Sequence, residues 1–135
     1  MKAVINVCVF ASILICGLSA QDFQKPALRQ GISVQMPVAG HAVEMRAADE
    51  PNSTVVVITA DGKLFDGITP TDPAALAGLP AGTVYVKADS RAPFQKVLAV
   101  LDALRGKSVV LLSAAPANAP KREIISPYGI KLTVF

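Results

Sequence analysis

An alternation of apolar and polar residues opens the most regular part of the chain, residues 84–113. Val84, Val86 and Ala88 alternate there with Tyr85 and Lys87. This period of two predicts a β-strand with one buried face.

Apolar residues then recur at a helical spacing, which places five of them on one side of a helix: Phe94, Val97, Leu98, Leu101 and Leu104. Pro93 fits the first turn of such a helix, and Gly106 fits its end. Residues 108–113 are apolar almost throughout, which predicts a strand buried on both faces. Because only two residues separate helix from strand, we expect a right-handed crossover between two parallel strands.

A second group of signals precedes this unit. Residues 54–60 are rich in β-branched side chains and predict a central strand. The Asp-Gly dipeptide at 61–62 favours a tight turn, so we expect an antiparallel return strand over 63–65. A second Asp-Gly dipeptide, at 66–67, ends that strand. Turn chemistry accounts for both aspartates, although a metal or acid-base role is the functional alternative.

Two weaker elements complete the pattern. Residues 71–73, Thr-Asp-Pro, predict the start of a short helix that ends before Pro80. After a loop rich in proline and alanine, Ile130, Leu132 and Val134 alternate with polar residues and predict a last strand. The expected fold is α+β: a two-layer sandwich in which a mixed sheet of about five strands carries two helices on one face.

The N-terminal region has a different pattern. An apolar run from residue 3 makes residues 1–20 a signal peptide or an N-terminal membrane anchor, and both alternatives export the rest of the chain. Residues 21–53 are predicted to be a linker that contains a short strand over 32–36. Within it, 39–53 is interpreted as a mobile loop. The folded domain is then expected over 54–135.

Composition narrows the possible functions. The chain has 135 residues and a formal net charge of +3, with basic side chains spread along it, which is too mild a charge to indicate nucleic-acid binding. Cys8 and Cys16 both lie in the leader, so the folded part offers no disulfide, thiol nucleophile or cysteine metal site.

The single histidine, His41, falls in the predicted loop and is interpreted as a solvated side chain. One histidine without a cysteine leaves few arrangements of nucleophile, base and orienting group. We therefore expect a protein that is not an enzyme, with no catalytic residue, cofactor or metal. An exported small hydrolase and a module that binds a small ligand in an apolar pocket between helix and sheet are the alternatives.

Five residues are candidates for binding a partner. Ile32, Val34 and Met36 alternate before Pro37, which is typical of an edge strand, or of a strand that pairs across a dimer or with an extended peptide. Asp89, between strand and helix, is either a turn residue or a contact in an assembled complex.

Four segments, taken in order, are similar to the periplasmic domain of the ExbD/TolR biopolymer-transport family. They are GISVQMPVA at 31–39, VVVITADGKLFDG at 55–67, VYVKADSRAPFQKVLAVLDALR at 84–105 and SVVLLS at 108–113. The valine strand with its Asp-Gly turn, and the strand that ends in Ala-Asp before the long helix, are the most specific of these features.

The resemblance implies a periplasmic domain that forms a homodimer, with an ExbB/TolQ-like channel subunit and a TonB/TolA-like periplasmic protein as partners. The mild charge indicates no nucleic-acid partner. Membrane contact is expected only through residues 3–20 if the leader stays attached, in which case the chain is anchored in the inner membrane. The family's membrane helix carries an aspartate for proton flow, whereas residues 3–20 contain no Asp or Glu. The expected role is therefore partner binding in an energy-transducing complex without that proton step.

Overall fold

A computed structural model describes residues 31–121 and 126–135, and the predicted leader lies outside these ranges. Within them, seven strands form one mixed sheet in the order β1-β7-β6-β5-β2-β3-β4. The strands are Val43–Glu44 (β1), Thr54–Ile58 (β2), Leu64–Asp66 (β3), Thr69–Pro70 (β4), Thr83–Ala88 (β5), Ser108–Ser113 (β6) and Tyr128–Thr133 (β7). The helices are Pro73–Leu76 (α1) and Phe94–Ala103 (α2), with a 3-10 helix at Arg46–Asp49.

The predicted strand-helix-strand unit is confirmed and forms the centre of the sheet. β5 pairs in parallel with β6, with Val84 opposite Val109 and Val86 opposite Leu111. β2 lies on the other side of β5 and is also parallel to it. The three parallel strands β2, β5 and β6 therefore have their carboxyl ends along one edge of the sheet. Antiparallel strands extend the sheet beyond β6 and beyond β2.

The hairpin predicted from the first Asp-Gly dipeptide is also confirmed. β2 and β3 are antiparallel, and the Thr59 N–H donates to the carbonyl oxygen of Lys63 at 3.0 Å across the turn. Gly62 has a φ of +81°, which a residue with a side chain rarely adopts. The return strand runs over Leu64–Asp66, one residue later than predicted.

The α+β class is confirmed, but the described sheet has seven strands where about five were expected. The two additional strands, β1 and β4, have two residues each and lie at opposite edges. A pair of residues is too short to show a period of two, so hydrophobic patterning does not detect such strands.

Both helices pack on one face of the sheet, which we call the helix face. Its buried core contains Leu76 from α1, Val100 from α2 and Leu104, which directly follows α2, together with valines of the parallel strands. The predicted inward positions Phe94 and Leu98 are 72% and 48% exposed, so this part of the helix prediction is wrong. Apolar residues cover a wider arc of α2 than the sheet can contact, and spacing alone does not identify which part faces the sheet.

The opposite face, which we call the second face, has its own buried core. Val55, Val57, Tyr85, Val110 and Leu112 lie there, and Met45 and Ala48 pack against them from the region around the 3-10 helix. Residues 39–53, interpreted as a mobile loop, therefore include a strand, a helical turn and buried side chains.

Residues 31–38, which we call the covering segment, pack on the second face as well. The strand predicted over 32–36 is wrong, because these residues join no strand ladder. Their burial nevertheless alternates: Ile32, Val34 and Met36 are partly buried against the second-face core, while Ser33 and Gln35 are exposed. The alternation therefore arises from packing across a face of the sheet and not from an edge strand.

Candidate functional site

Three buried polar side chains lie at or just after the carboxyl ends of the central parallel strands. Lys87 and Asp89 belong to the end of β5, and Ser113 is the last residue of β6. In sheets with parallel strands, ligands generally bind outside this edge. Burial of charged groups is costly unless they are paired, so their presence here makes this edge the candidate functional site.

The Asp89 carboxylate accepts four hydrogen bonds. Its Oδ1 atom accepts from the backbone N–H and the Nε of Arg91, both at 2.9 Å. Its Oδ2 atom accepts from Nη2 of Arg91 at 3.1 Å and from the backbone N–H of Gln35 at 3.0 Å. Asp89 is thus held by a two-pronged guanidinium contact and by two main-chain groups.

These donors hold the pKa of Asp89 well below its usual range. The side chain of Arg91 has the largest effect, followed by its backbone N–H, and the Gln35 N–H acts in the same direction. Burial of the carboxyl opposes them but does not outweigh them. The same pairing raises the pKa of Arg91, so both groups stay charged at neutral pH.

Asp89 also organises the chain at the end of β5. Its backbone N–H donates to the carbonyl oxygen of Ile58 at 2.9 Å, and its own carbonyl oxygen accepts from Ala92 at 2.9 Å. The first bond joins β5 to the end of β2, and the second closes the turn that leads into α2. The residue therefore has a local turn role, and through Gln35 it also contacts a segment 54 positions away.

The covering segment is bound to this edge through its main chain. The Ser90 N–H donates to the carbonyl oxygen of Gln35 at 2.7 Å, and the Ala114 N–H donates to that of Pro37 at 2.9 Å. Val38 forms an isolated parallel bridge with Ala114. The segment thus passes the ends of β5 and β6 in sequence.

Gly31, the first residue of the covering segment, also lies in close contact with its neighbours. A Cβ atom on Gly31 would lie 2.7 Å from Cγ2 of Val57 and 3.1 Å from the carbonyl oxygen of Gly67. Gly31 also has a φ of +79°, so only glycine fits this position without strain.

All five residues predicted to bind a partner contribute to this one region. Asp89 bonds the main chain of Gln35, between Val34 and Met36, and Pro37 supplies a carbonyl acceptor from an exposed position. The edge strands of the described sheet are instead β1 and β4. The five residues are therefore neighbours within one chain, which leaves their predicted role with a partner as a prediction.

Sequence reasoning missed Lys87, which is 3% exposed. The alternation in β5 placed Tyr85 and Lys87 on an exposed face, but the second-face core and the covering segment bury that face. Lys87 lies opposite Val57 of β2, whose strand is apolar on both faces. Apolar residues on both faces of β2 indicate that both faces of the sheet are covered, and this pattern could have predicted the burial of Lys87.

The described residues hold no group of three or more His, Cys, Asp or Glu side chains arranged to bind a metal ion. His41 is exposed in a turn. Every buried side-chain nitrogen or oxygen within the described ranges has a hydrogen-bond partner. What the site offers chemically is a set of positioned donors and acceptors for an extended main chain.

No helix in the described part of the chain is long and apolar enough to cross a membrane.

No family model, no curated protein and no solved structure matches this chain.

Proposed function

We propose that this chain is a non-enzymatic dimerisation and partner-binding domain that works in the periplasm. In this proposal it is a biopolymer-transport component similar to ExbD/TolR proteins and belongs to an energy-transducing complex. A second copy of the chain, an ExbB/TolQ-like channel subunit and a TonB/TolA-like periplasmic protein are its partners. It lacks the membrane aspartate for proton flow, since residues 3–20 contain no acidic side chain.

The observation that carries this proposal is the way the covering segment is bound. Alternate side chains pack on an apolar surface, while main-chain groups bond to Asp89, Ser90 and Ala114. Recognition of extended peptides uses the same two components: main-chain hydrogen bonds supply affinity, and sites for alternate side chains supply specificity. A surface that holds an extended segment of its own chain is equipped to hold a similar segment of a partner.

The order of the four similar segments supports the proposal from the sequence side. Three of them form β2 with its hairpin, the β5-α2 unit and β6, and the fourth coincides with the covering segment. The segments that carry the resemblance are thus the ones that build the site and the sheet beneath it.

The test separates the covering segment from its binding surface. The substitutions Ile32→Ser, Val34→Ser and Met36→Ser are introduced together, which removes the apolar contacts of the segment and leaves Asp89 in place. We expect a labelled synthetic peptide of residues 31–39 to bind this variant in trans, measured by fluorescence anisotropy. The same peptide should bind the unchanged chain more weakly, because the tethered segment competes at a high effective concentration.

Two controls make this experiment specific. A peptide of the same composition in scrambled order should not bind, and adding Asp89→Asn to the triple variant should abolish binding, whereas Asp102→Asn should not. Asp102 pairs with Arg105 at 2.8 Å on the surface, so its substitution removes the same charge elsewhere. If the triple variant does not fold, Gly31→Ala displaces the segment instead, through its contact with Val57. Equal binding with Asn at position 89 would contradict the proposal.

A further inference from the structure

β7 has an open side along most of its length. On one side, β6 pairs with the whole strand, from Tyr128 to Thr133. On the other side, β1 pairs only with Tyr128 and Gly129. No strand in the described ranges lies beside residues 130–133 on that side. Within this part of the chain, the outward main-chain groups of β7 are therefore available to another strand.

Lys131 and Thr133 direct their main-chain groups towards the open side. The Met45 N–H donates to the carbonyl oxygen of Pro127 at 2.7 Å, so Pro127 faces the side of β1. Main-chain groups along an antiparallel strand alternate between its two neighbours, so those of Lys131 and Thr133 face that side as well. The carbonyl oxygen of Val134 accepts a hydrogen bond at 3.3 Å from the loop before β6, which agrees with this alternation.

The side chains of the same stretch differ between the two faces of the sheet. Leu132 and Val134 are partly buried against the helix-face core, and Ile130, on the same face, is 40% exposed. Lys131 and Thr133 alternate with them, so they point to the second face, where both are exposed. The open side of β7 is therefore apolar on one face and polar on the other.

A second copy of β7 fits this open side in an antiparallel arrangement. In a symmetric pair of strands, hydrogen bonds join residues whose main-chain groups face outward, and side chains opposite each other share a face. Pairing Lys131 of each copy with Thr133 of the other meets both conditions and uses every outward donor and acceptor of residues 130–133. Leu132 then lies opposite its own counterpart and Ile130 lies opposite Val134, so apolar side chains meet on the helix face.

The neighbouring registers fit less well. A shift that places Lys131 opposite its own counterpart brings two positive charges together and directs Thr133 to Gly129, which β1 already pairs. The opposite shift pairs Lys131 with Phe135, beyond the end of β7, and leaves Ile130 without an apolar partner. Charge and hydrogen bonding therefore favour the same register.

From these observations we infer that β7 joins two copies of this chain as antiparallel neighbours in one continuous sheet. This inference rests on the proposed function, because it names the surface through which the proposed homodimer forms. It assigns a role to residues 128–133, which lie outside the four segments that carry the resemblance. The covering segment leads through residues 39–42 into β1, next to this open side, so its anchoring by Asp89 supports the contact indirectly.

Charge substitutions at position 133 test this register. Sedimentation equilibrium of the purified chain measures the dissociation constant of the dimer. Thr133→Glu places an acidic side chain opposite Lys131 of the second copy and should tighten the dimer about 5-fold, because the pair occurs twice in a symmetric dimer. Thr133→Lys places two positive charges there and should weaken it about 5-fold.

The opposite edge of the sheet provides matched controls. Thr69 is an exposed threonine on β4, and Pro70, which follows it, has no N–H to donate. Thr69→Glu and Thr69→Lys should therefore leave the dissociation constant unchanged.

A proline substitution tests the main-chain hydrogen bonds directly. Thr133→Pro removes an outward donor without breaking a bond to β6, so it should weaken the dimer at least about 5-fold. Circular dichroism melts identify any variant that does not fold, and the charge substitutions, at an exposed position, then decide the question.

Three results would overturn the inference. Equal dissociation constants for the Glu and Lys variants at position 133 would exclude this register. A dimer that Thr133→Pro leaves unchanged would show that the copies meet elsewhere, and the proposed homodimer would stand without this surface. A strictly monomeric chain would remove the dimer itself. Binding of the 31–39 peptide is measured independently, so failure at β7 leaves the proposed peptide recognition to its own test.

Discussion

At the scale of single residues, we expect the substitution of Asp89 to affect stability, its pH dependence and dimerisation. It is 5% exposed, yet it stays ionised because Arg91 and two backbone N–H groups donate to it. A buried carboxylate with all its hydrogen bonds made resists substitution even by a group of the same shape. An asparagine would retain one acceptor oxygen but would turn an NH₂ group towards donors.

Asp89 makes the stability of the fold depend on pH in a defined direction. Its pKa is lowered in the folded chain from the ordinary value of 3.8, so its stabilising contribution is fully present above that value. The contribution is lost as the pH falls through the lowered pKa. We expect Asp89→Asn to lower the thermal unfolding midpoint at neutral pH, and the gap to the unchanged chain to narrow between about pH 5 and pH 2.

Circular dichroism melts of the two chains across this pH range measure the effect. Asp102→Asn is the matched control, since its exposed ion pair with Arg105 should contribute no more than about 1 kcal/mol. A gap between the Asp89 variant and the unchanged chain that stays constant down to pH 2 would exclude the carboxylate as the source of the pH dependence.

At the scale of elements, α2 shows which side of a helix the sheet selects. Val97, Val100 and Leu101 of α2, and Leu104 directly after it, are buried or partly buried on the helix face. Phe94 and Leu98 have the spacing of a core stripe but lie on the solvent side of that contact. A wide apolar arc therefore leaves exposed surface even after the helix has packed.

This difference predicts unequal costs along one helix. Leu104→Ala, at a position with no exposed surface, should lower the free energy of unfolding by about 2–5 kcal/mol, because it leaves a cavity in the core. Phe94→Ala should change it by no more than about 0.5 kcal/mol. Urea denaturation of both variants measures these values, and a larger loss at Phe94 than at Leu104 would show that the helix packs with its other side inward.

At the scale of the whole molecule, the two faces of the sheet are covered by different kinds of structure. Helices α1 and α2 pack on the helix face. The covering segment and the short 3-10 helix pack on the second face. On the second face, the covering segment is held by main-chain hydrogen bonds of the kind used in the recognition of extended peptides. In the proposed function, the second face is therefore the one that meets partners.

The proposed function predicts a homodimer. Multi-angle light scattering of the purified chain across micromolar concentrations should give twice the mass of one chain. One chain with its leader has a mass of 14.0 kDa. Because Asp89 holds the segment proposed to meet partners, Asp89→Asn should shift the equilibrium towards monomer, whereas Asp102→Asn should not. A strictly monomeric chain at all concentrations would contradict this part of the proposal.

The order of residues was sufficient to predict the elements that depend on local chemistry. The β5-α2-β6 unit, the hairpin at Asp61-Gly62 and the start of the short helix at residues 71–73 each follow from contacts between near neighbours or from a sustained period. The five candidate residues were selected from local patterns of the same kind, and their role with a partner stays a prediction.

Other features were decided by tertiary structure alone, because they depend on contacts between distant residues. The 54-residue separation between Gln35 and Asp89, the burial of Lys87 and the solvent-facing position of Phe94 cannot be read from neighbours in the chain. Alternation over 32–36 predicts a short strand, but whether such a segment pairs at a sheet edge or lies across a sheet face depends on which surface is left uncovered. Local sequence sets how a segment can fold, and the packed sheet determines where it binds.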